Sequence, residues 1–212
     1  TTHIKETIKR HASELLGRQE TQSLVDKFKE SNPKVIEELI PDVLSLGKIQ
    51  KVLQNLLKEH VSIRDLRTIL EQLADYAPST QDTDVLTEYV RQAMARPITK
   101  QFQSADGSLS VMTLDRQVEE IIQKSIQRTE VNSFLALEPT IAEKLLVELQ
   151  GAVEAMSPQM ETSPVLLASP GIRHHLRKFL ERFIPDLAVL SHSEIIPSVQ
   201  IKTLKVVNLN AN

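Results

Sequence analysis

Between Leu44 and Tyr76 the chain reads LSLGKIQKVLQNLLKEHVSIRDLRTILEQLADY, and this stretch decides the fold of the first half. Leu46, Ile49, Val52, Leu53, Leu56 and Leu57 recur at the 3.6-residue helical period and form one apolar stripe, with Ser45 placed to cap it. A second series, Ile63, Leu66, Ile69, Leu70 and Leu73, repeats the period after a short turn. Ser62 is expected to cap this second helix, with Asp65 three residues on as an imperfect capping box. Working outward, residues 4–16 read as a helix that Gly17 is suited to stop, and 18–29 as another. Pro33 begins a short helix through Leu39, and Pro41 ends it. Asp82 opens the last helix of this half, which Pro97 should kink or divide, leaving a tail to about Gln103.

The pattern changes after the SADGS loop at Ser104 to Ser108. Short β-like runs at 109–113, 133–136, 165–168, 188–190 and 199–207 now alternate with helical stretches at 115–127, 139–156 and 171–183. Strands separated by helices of this length imply crossover units and a mainly parallel sheet, with an antiparallel final edge. The expected fold is therefore mixed: an all-α helical module followed by a small α/β module.

Composition narrows the function. A chain of 212 residues with 41% hydrophobic content has material for real cores. It has no cysteine, which removes disulfides, thiolate metal sites and thiol nucleophiles together and fits a reducing compartment. No apolar run approaches the roughly 20 residues that cross a bilayer, and no signal peptide is read before the fold. Lys and Arg number 25 against 28 Asp and Glu, so the basic surplus that displaces counterions from nucleic acid is missing. With two Tyr, five Phe and no Trp, stacking platforms for single strands are also poorly provided.

No catalytic constellation is present: GxSxG, GxGxxG, HExxH and the phosphate-binding glycine loop are all missing from the sequence. His11 and Glu14 share a helix face but lack a third ligand, so an ordinary hydrogen-bonded histidine is the simpler reading. Arg173, His174, Arg177, Lys178 and Arg182 give one helix a basic face, either simply solvated or a docking patch for an acidic partner. In IRDLR, Arg64 and Arg67 flank Asp65 near Glu59, and they read as a network tying helix ends together or as a partner-binding site. The GRQE junction, Gly17, Arg18, Gln19 and Glu20, is either a static corner or a hinge.

Four segments carry a resemblance in order and spacing: HASELLGRQETQ from His11, NPKVIEELIPDVLSLG from Asn32, the helical pair from Ser45 to Tyr76, and DVLTEYVRQAMAR from Asp84. Beyond Gln103 the likeness thins to pieces such as PDLAVLS at Pro185 to Ser191. Together they resemble the cytoplasmic part of the FHIPEP family of type III export-gate membrane proteins, with wording nearer its flagellar than its virulence branch. The resemblance implies a terminal helix of an upstream module at 1–16, a helical module at 17–103 and a terminal α/β module at 104–212. It implies no enzyme activity and no cofactor or metal. It implies a docking platform at the cytoplasmic face of the bacterial inner membrane, receiving flagellar export substrates and chaperone–substrate complexes and contacting soluble export-apparatus components. Self-association into a ring would occur in the parent protein, with neither nucleic-acid binding nor membrane insertion by this chain. Thr2 and His3 would lie at the edge of the chaperone cleft. A virulence-system homologue and a free-standing cytosolic adaptor are the other readings, and a small enzyme in the α/β half is the weakest because its strand ends lack a reactive cluster.

Overall fold

The structure, a computed structural model, describes residues 11–129, 133–156 and 162–209. The chain packs as two compact units, one ending at Met94 and the other beginning at Ala95.

In the first unit residues 11–15 are helical, followed by α1 (Arg18–Ser31), α2 (Pro33–Leu39), α3 (Leu46–Lys58), α4 (Leu66–Tyr76) and α5 (Thr83–Ala93). Ser45 caps α3 as expected, its Oγ accepting from the Lys48 amide at 3.4 Å. The helix ends in a Schellman turn. The Val61 amide donates to the Leu56 carbonyl at 2.9 Å and the His60 amide to Leu57 at 3.0 Å, with His60 in the left-handed region at φ 58°. The chain then runs on without helix to Asp65, so Ser62 does not cap α4. Asp65 does, accepting from the Thr68 amide at 3.1 Å and the Thr68 hydroxyl at 2.7 Å. A carboxylate satisfies the free amides and also complements the positive end of the helix dipole, which a serine hydroxyl does not. The later start has a packing consequence. Ile69, Leu70 and Leu73 are fully buried, whereas Ile63 and Leu66, assigned to the same face from the sequence, are only half-buried.

Asp82 caps α5, accepting from the Asp84 amide at 2.8 Å. α5 stops at Ala93 and α6 (Ala95–Phe102) begins two residues later. Pro97 accounts for the division: in one continuous helix its ring would meet the carbonyl of residue i−4, which is Ala93. The core of the first unit is built from Leu39, Ile49, Leu53, Leu56, Ile69, Leu73, Leu86 and Val90, all at 0% exposure.

The second unit contains α6 and a four-stranded sheet of β1 (Leu109–Leu114), β4 (Val165–Ala168), β5 (Ala188–Ser191) and β6 (Ile201–Val207), in the order β5-β4-β1-β6. Every pairing in it is parallel. The antiparallel edge expected from the sequence does not occur. After β5 a 3-10 turn at His192–Glu194 and the stretch 195–200 carry the chain back, so Ile201 enters beside Leu109 and Val207 leaves beside Leu114. Antiparallel pairing appears instead in a separate ribbon of β2 (Ile126–Arg128) and β3 (Ser133–Leu135). That ribbon ends α7 (Arg116–Lys124) early, since the Ser125 carbonyl is drawn to the Ala136 amide at 2.9 Å. α8 (Pro139–Met156) and α9 (Pro170–Leu180) complete the unit.

One sheet face, carrying Met112, Leu114, Leu166, Ala168 and Val189, packs with Val118 and Ile122 of α7, Leu145 and Leu149 of α8, and Ile172 and Leu176 of α9. Val111, Val165, Leu167 and Leu190 of the opposite parity are buried as well. Central strands covered on both faces read as continuous apolar runs, which is why VLLA showed no alternation. Among the described residues, no helix is long and apolar enough to cross a membrane.

Candidate functional site

The GRQE junction is tied down from both sides. The Leu16 carbonyl accepts from the side-chain amides of Gln50 at 3.2 Å and Gln54 at 2.9 Å. Those two glutamines lie one turn apart on α3 and therefore share a face. The Gly17 amide donates to the Glu20 carboxylate at 3.0 Å, while the Thr21 hydroxyl donates to the Gly17 carbonyl at 2.8 Å. Gly17 itself is extended, at φ −84° and ψ −172°, so the left-handed freedom of glycine is unused here. Arg18, Gln19 and Glu20 are exposed. The Arg18 guanidinium lies over Gly47, where an added Cβ would sit 2.5 Å from Nη1.

On α9 the expected basic face is not presented as a unit. Arg173 is fully buried and donates through Nη1 to the Val189 carbonyl at 3.1 Å. Arg177 is buried too, its Nη1 donating to the Leu187 carbonyl at 2.9 Å. His174 is half-buried, and the exposed members are Lys178 and Arg182. The helical period turns positions 173 and 177 toward β5, where carbonyls in and just before the strand take their guanidinium protons. Two of the five residues assigned to a surface patch are therefore structural. The amino end of α9 is held in the same manner: Glu119 of α7 accepts from the Ser169 amide at 2.9 Å and from the Ser169 hydroxyl.

The helix-tying network exists, but through another arginine. Glu59, at the end of α3, pairs with Arg91 of α5 at 3.3 Å, and the Arg91 side chain is 2% exposed. Arg64 and Arg67 are both exposed, and Arg67 donates to Asn32 Oδ1 at 2.8 Å. The spacing signals the burial of Arg91, though not its partner. Thr87 and Arg91 lie next to Leu86 and Val90 at the same interval, so the core-facing stripe of α5 includes a guanidinium.

Thr2 and His3 lie outside the described residues. His11 and Glu14 form an exposed 3.2 Å contact, and among the described residues no group of three or more acidic or histidine side chains is arranged to hold a metal ion. Among the sequence-nominated groups, the GRQE corner is the one held by two side-chain amides from a single face of another helix.

Comparison with known proteins gives the same order of elements a lineage. The FHIPEP family model matches residues 1–200. The flagellar biosynthesis protein FlhA of Bacillus subtilis is 48% identical over 209 residues, 99% of this chain and 31% of its own length. The chain thus spans about a third of that relative. Among solved structures, the Chlamydia pneumoniae CdsV and CdsO protein complex aligns with a TM-score of 0.90 at 33% identity, over 98% of this chain and 60% of that one. The nonameric EPEC SctV-C aligns at 0.86 and 32%, over 96% of this chain and 61% of that one. A family model covering nearly the whole chain, with a relative at this identity, places the chain in the FHIPEP family.

Proposed function

We propose that this chain is part of the cytoplasmic docking platform of a flagellar type III protein export gate. It would receive export substrates and chaperone–substrate complexes without catalysing a reaction, at the cytoplasmic face of the bacterial inner membrane. The observation that carries the reading is the 48% identity to FlhA over 99% of the chain. That exceeds the 33% seen with the EscV cytosolic domain from the type III secretion system, which favours the flagellar branch. A nonameric relative supports self-association in the whole protein, and a relative solved in complex with CdsO supports contacts with a partner protein.

Within this reading residues 1–16 end an upstream module, 17–103 form the helical module and 104–212 the terminal one, although α6 packs with the second compact unit. Thr2 and His3 would belong to the edge of a chaperone cleft, while Lys178 on α9 and Arg182 just beyond its end are the exposed members of the basic set. Titration of flagellar chaperone–substrate complexes against this chain, and against the longer cytoplasmic region of the relative, tests the assignment. Binding should be much weaker to this chain. Equal affinity would move the docking site onto the helical or terminal module, and no binding to either would reject the docking role.

A further inference from the structure

We infer that Gln50 and Gln54 are a lock on the GRQE junction, coupling the helix that precedes Gly17 to α3. The last carbonyls of a helix have no partner within the helix and are usually satisfied by a tightened or left-handed terminal turn. Gly17 could have supplied such a turn but adopts an extended conformation. The Leu16 carbonyl is instead satisfied by two amide donors from another helix, at 3.2 and 2.9 Å, which fills both of its lone-pair directions.

Burial of one side chain and two further contacts close the corner around that carbonyl. The Leu16 side chain is 7% exposed, Glu20 holds the Gly17 amide, and the Arg18 guanidinium occupies the space that Gly47 leaves above α3. The junction has the composition of a hinge, with glycine between two helices, but its freedom is removed by side chains of α3. Displacement of whatever precedes Leu16 is then delivered to α3 as a unit. Gln50 and Gln54 are positioning residues in this arrangement, and their substitution converts the locked corner into a pivot.

The chain has no cysteine, so paired spin labels report without background. Labels on Glu14→Cys and Lys58→Cys, both exposed positions, span the junction, and a control pair on Lys51→Cys and Gln92→Cys lies within the helical unit. Pulsed electron–electron distance measurement should give one narrow peak for each pair. In Gln50→Glu/Gln54→Glu, which keeps shape but removes both donors, the junction peak should broaden at least twofold while the control stays narrow. Gln54→Glu alone should give intermediate broadening and covers the case in which the double variant fails to fold. A broad junction peak in the parent chain, a narrow one in the double variant, or equal broadening of both pairs in the single variant would each overturn the lock.

Discussion

Arg91 shows how one side chain changes the meaning of its neighbours. A guanidinium at 2% exposure beside Glu59 is a buried charge with a partner, and removing one member leaves the other desolvated. Arg91→Ala should therefore lower stability by about 3–5 kcal/mol. Arg64→Ala and Arg67→Ala, at exposed positions, should each stay within about 1 kcal/mol. Urea denaturation of the three variants checks the ranking, and an Arg91 variant with the parent midpoint would refute the buried pair.

Asp106 offers a second test at this scale. It accepts from Lys202 Nζ at 2.6 Å and from the Ser108 hydroxyl and amide at 2.6 and 2.9 Å. The hydrogen bond from Lys202, followed by those from Ser108, holds its carboxyl well below the ordinary value of 3.8. A depressed carboxyl contributes stability that is fully present above 3.8 and is lost as pH falls through the lower folded-state value. Asp106→Asn should thus narrow the difference in melting temperature between neutral and strongly acidic solution. A carbon-detected titration of the Asp106 carboxyl should show it still ionised at pH values where free aspartic acid has protonated, and a midpoint at the ordinary value would contradict the contact set.

At the scale of elements, α3 and α4 separate periodicity from burial. Leu53 is at 0% exposure, so Leu53→Ala should cost about 2–5 kcal/mol through lost transfer energy and the cavity left behind. Leu66, the first residue of α4 and half-buried, should cost clearly less on the same substitution. The difference in denaturation midpoint between the two variants is the measurement, and equal losses would put Leu66 in the core after all. Edge strand β6 shows the complementary behaviour: Ile201, Leu204 and Val206 are 41%, 49% and 48% exposed although the run reads as a strand with an apolar core side. Lys202 and Lys205 interrupt it, as charged residues on sheet edges commonly do to discourage pairing with other chains.

At the scale of the whole molecule, Leu15, Val85, Phe134 and Phe183 are exposed apolar side chains on separate stretches of the chain, and the small cluster that Val147 of α8 forms with Leu204 of β6 is broken by Glu148 and Lys205. Scattered residues of this kind do not make the continuous patch on which stable association rests. The chain should be monomeric in dilute solution even though a relative is nonameric, because weak lateral contacts suffice only at the high effective concentration of a tethered assembly. Light scattering over a concentration series tests this. A stable ring from this chain alone would overturn the tethering argument, and a dimer abolished by Leu15→Glu would trace association to the helix before Gly17, where Leu15 is 65% exposed.

The sequence alone determined the order and type of nearly all described elements, because helical periodicity, proline positions and capping residues act within a few residues of one another. Ser45, Asp82, Pro33 and Pro97 each did locally what their chemistry dictates, and the change from helical to alternating grammar marked where strands begin. Membership in a family was legible for a related reason: quoted segments such as LSLGKIQKVLQNLL preserve both period and residue choice. Tertiary structure decided what depends on partners distant in the chain. Nothing near position 59 announces Arg91, and nothing in IRDLR reveals that Asp65 outcompetes Ser62 once the Schellman turn has set where the chain exits α3. The interior fate of Arg173 and Arg177, the parallel pairing of β6, and the two glutamines on the Leu16 carbonyl all arise because unsatisfied backbone groups on one element must find donors or acceptors on another. Which element supplies them is a matter of three-dimensional proximity, and a linear pattern does not encode it.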